Sequence, residues 1–379
     1  MKEFLNFING EYVRGTSGKT FDDINPVDGS VIGRIHEAGQ GEVDAAVAAA
    51  RAALQGDWGR LAVVERCKLL DAVAGEINRR FDDFLQTEIA DTGKPHHLAS
   101  HVDIPRGAAN FQIFIDTIKS TATESFNMRT PDGKTALSYG VRPVSLEMGG
   151  KNAAVVFADC DFQVAVDTLT RSCFENAGQV CLGTERVYVE RPIFEKLVAA
   201  LKDRAEAMKP GLPFDKDTKI GPLISKKHQD KVLGLYQKAR DEGATIVTGG
   251  GIPDMPEALR GGSWVQPTIW TGLPETATVV TEEIFGPCCH VSPFDTEEEV
   301  LAKVNANRYG LATAVFTQDI ARANRLAHRI EVGLCWINAW FLRDLRTPFG
   351  GSKQSGIGRE GGVHSLEFYT ELRNVMVKF

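Results

Sequence analysis

From residue 144 onward, short apolar runs alternate with stretches of helical length, and that alternation constrains the chain more than any single residue does. Ala153–Phe157 reads as a buried strand and 162–176 as a helix; Arg186–Val189 as a strand and 192–208 as a helix. Helix 226–243 leads to strand Thr245–Thr248. Helix 296–306, strand Leu311–Phe316, helix 319–330 and strand Leu334–Asn338 follow. Parallel strands need a crossover of helical length between them, so this order predicts an α/β domain on a mostly parallel sheet. Leu372–Phe379 ends strand-like, and no solenoid repeat or low-complexity tract interrupts the pattern.

The first third reads differently. Phe7-Ile8 and Tyr12-Val13 flank Asn9-Gly10, a hairpin signal, and a second turn at Asp28-Gly29 precedes Val31-Ile32. From Glu42 the period becomes helical, with Val43, Val47, Ala50 and Leu54 on one face. Helical stretches near 63–79, 81–93 and 103–120 follow. Residues 121–141 hold Asp132-Gly133 between two extended segments, too polar for a core hairpin. Such a ribbon lies on a surface or pairs with a partner.

A chain of 379 residues predicts two or three domains with sizeable cores. Its net charge of −7, spread without a basic stripe, argues against a nucleic-acid partner. No apolar run reaches membrane-spanning length, and MKEFLNFINGEYV has no signal-peptide core. Seven scattered cysteines without a CxxC pair suggest reduced thiols in the cytoplasm. The eight histidines form no HExxH or Cys/His ladder, so no metal site is expected.

Four segments hold residues that can do chemistry. In Phe174-Glu-Asn-Ala-Gly-Gln-Val-Cys181 a helical run ends at Gly178. A thiol on the turn that follows, beside backbone N–H groups, is placed to attack a carbonyl. The competing reading is a small buried hydrophobe. Glu147, between Leu146-Met148 and a Gly-Gly pair, reads as half-buried and so suited to base work; a surface Glu before a turn is the alternative. Glu282 and Glu283 are adjacent, and in a strand they would point to opposite faces, which argues against a cooperating acid pair. The Gly-rich stretch after Pro348-Phe349 can cradle an anion or form a flexible loop, but lacks P-loop order.

Taken in order, LEMGGKN, GQVCLGTERVYVE, IGPLIS, EEIFGP, YGLATAVFTQD and PFGGSKQSGIGREGG resemble the aldehyde dehydrogenase superfamily, over 1–141 and again over 143–379. The resemblance implies an α/β fold with an incomplete Rossmann-type cofactor domain, an α/β catalytic domain and a small β oligomerisation hairpin. It assigns 1–120 and 142–152 to the cofactor domain, 121–141 and 362–379 to an oligomerisation arm, and 153–361 to the catalytic domain. It further implies that Cys181 attacks an aldehyde, that hydride passes to NAD, and that Glu147 activates water against the resulting thioester. Glu283 would hold the nicotinamide ribose hydroxyls and Phe285 would pack near the nicotinamide. Within the superfamily, FINGEYV, DIPRGAANF and WFLRDLRTPFGG are similar to the branch acting on 2-aminomuconate and 2-hydroxymuconate semialdehydes. Those substrates carry a carboxylate, and the likeness implies that Arg106 and Arg343 grip it. The alternative for each is a solvated arginine or a structural ion pair. The resemblance also implies a homo-oligomer, dimer or tetramer.

One segment of the family pattern has no counterpart. Tyr139-Gly140-Val141-Arg142 runs directly into Pro143-Val144-Ser145-Leu146-Glu147, an apparent deletion near 141–143 of on the order of a hundred residues. The family carries there a Pro-Trp-Asn motif that completes the oxyanion hole, a Lys-Pro-Ser strand end that meets the adenosine ribose, and a Gly-Ser turn beside the pyrophosphate. Two accounts stay open: the protein lacks this stretch, or the two flanks are joined across one left out. In the first account NAD binding is weak or absent, the helices at 42–120 expose apolar faces, and the chain is an impaired remnant. Such a remnant retains at most Cys181-dependent ester hydrolysis, or only oligomerises.

Overall fold

The computed structural model describes residues 2–120, 126–129, 135–138 and 146–369. They divide into two compact units: residues 1–115 with 209–231 and 252–265, and residues 116–208 with 232–251 and 266–379. Residues 209–231 and 252–265 cluster with the N-terminal third.

In the first unit, Asn6–Ile8 and Glu11–Val13 pair antiparallel across Asn9 and Gly10, both at positive φ (53° and 87°), the geometry that Asn-Gly turns supply. A three-stranded sheet joins Lys2–Phe4, Val31–His36 and Thr20–Ile24. Helices Gln40–Gln55, Val63–Arg79, Phe81–Thr92 and Ile104–Ser120 follow, the last continuing past residue 115 into the second unit, close to the periodicity reading. Gly93 ends the third of these in a left-handed C-cap at φ 67°. Trp264 is buried, and its indole N–H donates to the carbonyls of Val27 (3.1 Å) and Leu259 (2.9 Å). On these helices Val43, Val47, Leu54, Val63, Val64 and Leu69 are exposed.

The second unit holds the predicted parallel sheet. Its strands are β1 (Asn152–Val156), β2 (Thr184–Glu190), β3 (Thr245–Thr248), β4 (Thr268–Thr271), β5 (Cys288–Phe294), β6 (Ala312–Phe316) and β7 (Leu334–Ile337), ordered β3-β4-β5-β2-β1-β6-β7. All neighbours run parallel except the edge pair β3–β4. Helices α1 (Phe162–Phe174) and α2 (Phe194–Glu206) cover one face, where Ala154, Val156, Val187 and Val189 meet Leu169, Phe174, Leu197 and Leu201. Helices α3 (Glu297–Asn305) and α4 (Ile320–Arg329) cover the other, over Ala153, Val155 and Val315. β1 is buried at every position, as a strand covered on both faces must be.

Strands Phe126–Arg129 and Thr135–Ser138 pair antiparallel, the core of the expected ribbon. The rest of 121–141, the junction at 141–143 and the strand-like end at 372–379 lie outside the described residues.

Candidate active site

In a parallel sheet, strands that lie side by side also begin side by side. The segments that enter β1, β2, β5 and β6 therefore meet at one edge, and three of them carry the sequence candidates: Glu147, Cys181, and Glu283 with Phe285. The chemistry thus gathers at the amino edge of the sheet.

The thiol loop is shaped by three successive left-handed residues, Asn176, Ala177 and Gly178, at φ 53°, 53° and 71°. Gly178 is required: a Cβ there would lie 2.0 Å from the carbonyl oxygen of Gly286. Asn152, buried at the start of β1, pins the loop. Its amide donates to the carbonyls of Cys181 (2.7 Å) and Gly183 (2.9 Å), and its oxygen accepts from the N–H of Ala312 (3.0 Å). The Trp340 indole N–H donates to the Leu182 carbonyl (2.9 Å).

Cys181 is half-buried against Leu182, Trp336, Trp340 and Phe349. Burial pushes its pKa up to about 12, and the charges of Glu147 and Glu283 add to that. The N–H groups of Cys181 and Leu182 act the other way by hydrogen bonding to the sulfur. The group is thus held as a thiol near neutral pH with two carboxylates close enough to feel its ionisation. Backbone donors stand beside it, as expected for a turn that follows a helix end.

Glu147 departs from its expected burial: it is exposed. Among the described residues the strand Leu146–Glu147 pairs only with Gly356–Ile357, and the residue opposite Glu147 is Gly356, which has no side chain to cover it. The N–H of Gly149 reaches back to Glu147 Oε1 at 3.4 Å. Glu282 and Glu283 do not sit in a strand, yet they do diverge. Glu282 pairs with Arg308, whereas Glu283 Oε1 accepts from the N–H of Gly150 at 3.0 Å. A Cβ on Gly149 would lie 2.6 Å from Glu283 Oε2. Phe285 follows at φ 61°, half-buried.

The two arginines belong to different units. Arg106 lies half-buried on helix Ile104–Ser120 of the first. Arg343, in the second, stacks 3.9 Å above the Phe349 ring and pairs with Glu360 at 3.5 Å, the ion-pair alternative weighed from sequence.

Three residues of the site escaped sequence reasoning: Lys151, Asn152 and Glu185. Lys151 and Glu185 form a buried ion pair. Removing one partner of such a pair costs about 3–5 kcal/mol, because the other charge stays buried. The available signal was a charge inside an apolar strand, since Glu and Lys are almost never fully buried unpaired.

A thiol and the two carboxylates that oppose its ionisation thus gather at the amino edge of a doubly covered parallel sheet. The chain belongs to the aldehyde dehydrogenase family, a family of oxidoreductases, whose profile matches residues 12–140 and 133–375. It is 49% identical to a 2-hydroxymuconic semialdehyde dehydrogenase of Pseudomonas sp. (strain CF600), over all of both chains. It is 41% identical to a 2-aminomuconic 6-semialdehyde dehydrogenase of Pseudomonas sp., over all of this chain and 98% of that one. The former alignment spans 485 positions, so roughly a hundred of them face no residue of this chain. Among solved structures, an aldehyde dehydrogenase from Bacillus cereus in complex with NAD+ superposes with a TM-score of 0.94 at 28% identity, over all of this chain and 97% of that one. HpcC from Thermus thermophilus does so at 0.93 and 28%, over all of this chain and 93% of that one. No helix among the described residues is long and apolar enough to cross a membrane.

Proposed function

We propose that the protein oxidises a carboxylate-bearing, muconic-type semialdehyde to the acid with NAD, through Cys181. The observation that carries this reading is the Cys181 thiol, pinned by Asn152 and flanked by Glu147 and Glu283. The names of the relatives at 49% and 41% identity support the substrate class.

The edge residues fit the nicotinamide-ribose end of a dinucleotide. Glu283 offers carboxylate oxygens for hydroxyl groups, and the bare backbone of Gly149 lies against it, with the buried Gly150 N–H holding Oε1. A dinucleotide bound there would supply the hydride acceptor, and Glu283 and Phe285 would be the residues that hold its nicotinamide riboside. Cys181 adds to the aldehyde carbon as its proton passes to a base, and its own and Leu182's N–H groups face the developing oxyanion. As the oxyanion re-forms the carbonyl, the hydride on that carbon would leave to the dinucleotide acceptor and a thioester would remain; Glu147, exposed and so within reach of water, would activate the water that releases the acid and restores the thiol. Arg343, stacked on Phe349, and Arg106 are the proposed grips for the substrate carboxylate. The segments 1–120 with 142–152 serve the cofactor, 153–361 the chemistry, and 121–141 with 362–379 the homo-oligomer, in the cytoplasm.

A second reading rests on the hundred or so alignment positions without a residue here. If the cofactor platform is reduced to match, Cys181 and Glu147 turn over activated esters without NAD. Incubation with NAD+ and a muconic-type semialdehyde, and separately with a p-nitrophenyl ester, decides between them. NADH formation lost in Cys181→Ala supports oxidation. Ester cleavage lost in Cys181→Ala, without NADH, supports the second reading. Activity that survives Cys181→Ala refutes both.

A further inference from the structure

β2 carries an irregularity where it leaves the thiol loop. Thr184 pairs with Asn152 and Arg186 with Ala153, so two steps along β2 match one step along β1, and Glu185 is the extra residue. A bulge of this kind frees a side chain from the alternation of the pleat and re-aims it. Glu185 is buried, and its carboxylate takes three donors: the Lys151 ammonium, the N–H of Ile284 (3.1 Å) and the N–H of Phe285 (2.8 Å). Lys151 is fixed in turn, since its carbonyl accepts from Arg186 Nε at 2.9 Å.

The turn that Glu185 grips is one the chain does not adopt freely. Phe285 sits at φ 61°, a conformation a bulky residue holds only where its surroundings enforce it. Two consecutive N–H groups on one buried carboxylate supply that enforcement. The same turn carries Glu283 to the N–H of Gly150. Lys151, four residues after Glu147, links the grip to the Glu147 segment.

We propose that Glu185 is a positioning residue: from its bulge, and held by Lys151, it locks the left-handed turn at Phe285 and thereby presents Glu283 and Phe285 to the site. Its consequence for cofactor affinity rests on the reading that these two residues meet the nicotinamide riboside.

Two double variants separate positioning from bulk stability, because both remove the buried ammonium. Lys151→Met/Glu185→Leu deletes the acceptor; Lys151→Met/Glu185→Gln keeps a neutral one. The first is expected to speed amide exchange at 284 and 285 about tenfold or more at a matched melting temperature, and the second to restore the parent's protection. In NAD+ titrations the first variant raises KM by about tenfold and by more than it lowers kcat, and the second brings KM back. Unchanged exchange at 284 and 285 in the Leu variant overturns the proposal, as does a folded Gln variant that fails to restore protection. A parent that forms no NADH refutes the oxidation reading alone. The exchange measurement still decides the role of Glu185.

Discussion

At the scale of single residues, the state of Cys181 is set by burial first and by Glu147 and Glu283 second. Alkylation by iodoacetamide should therefore rise with pH by a unit slope from about pH 7 to about pH 10, without a plateau near the ordinary thiol range. Glu147→Gln removes one of the charges opposing ionisation, so the thiolate fraction grows, and alkylation at about pH 8 should quicken several-fold even as turnover is lost. A slower reaction in that variant would contradict the electrostatic role given to Glu147. Asn152→Ala strips the part-buried Cys181 carbonyl, the buried Gly183 carbonyl and the Ala312 N–H of their partner. It should cost about 3 kcal/mol, read from the denaturant midpoint. The sheet brings Cys181, Glu147 and Glu283 to one edge, and that they belong together was legible in the motif order. Asn152 and Glu185 were not, because what they do is hold backbone groups that only the folded sheet brings to them.

At the scale of elements, the alternation of strand and helix gave α1, α2, α3 and α4 to within a few residues. Strands β4 and β5 were not read from sequence. Cys288–Phe294 carries a histidine, a serine and a proline, which dilute an apolar strand pattern. Pro293 is tolerated as the next-to-last residue of β5, in register with Val189. The β2 bulge was equally hidden, since register belongs to a pair of strands. The loop between α1 and β2 depends on Gly178 touching Gly286. Gly178→Ala meets both the left-handed φ and the 2.0 Å approach. It should destabilise by about 3 kcal/mol, with a matching fall in melting temperature. A variant as stable as the parent would show that the two loops are not in contact.

At the scale of the whole molecule, the helices of the first unit carry exposed apolar side chains, and roughly a hundred positions of the alignment with the 2-hydroxymuconic semialdehyde dehydrogenase face no residue of this chain. A chimaera carrying the corresponding segment of the 2-hydroxymuconic semialdehyde dehydrogenase at the 141–143 junction should bind less hydrophobic dye than this chain and bind NAD+ more tightly. Equal dye binding would count against a face left bare by that segment. Alkali offers a second test. Burial holds the pKa of Cys160 and Cys335 up at about 11 and that of Cys181 at about 12, against 9.0 when unfolded. The folded chain keeps protons that the unfolded chain releases. The stability they lend is intact below about pH 9 and is lost as pH rises toward about 11. Melting temperature should fall from about pH 8 to about pH 10.5, less steeply in Cys160→Ser/Cys335→Ser. The meeting of four strand entrances at the amino edge has a kinetic corollary. Glu147, Cys181, Glu283 and Ala312 are far apart along the chain, so the environment of the thiol closes only when distant strands have docked. Cys181 is in effect a built-in clock of sheet completion: during refolding, its protection from a pulse of alkylating reagent marks the arrival of β6 rather than the first collapse.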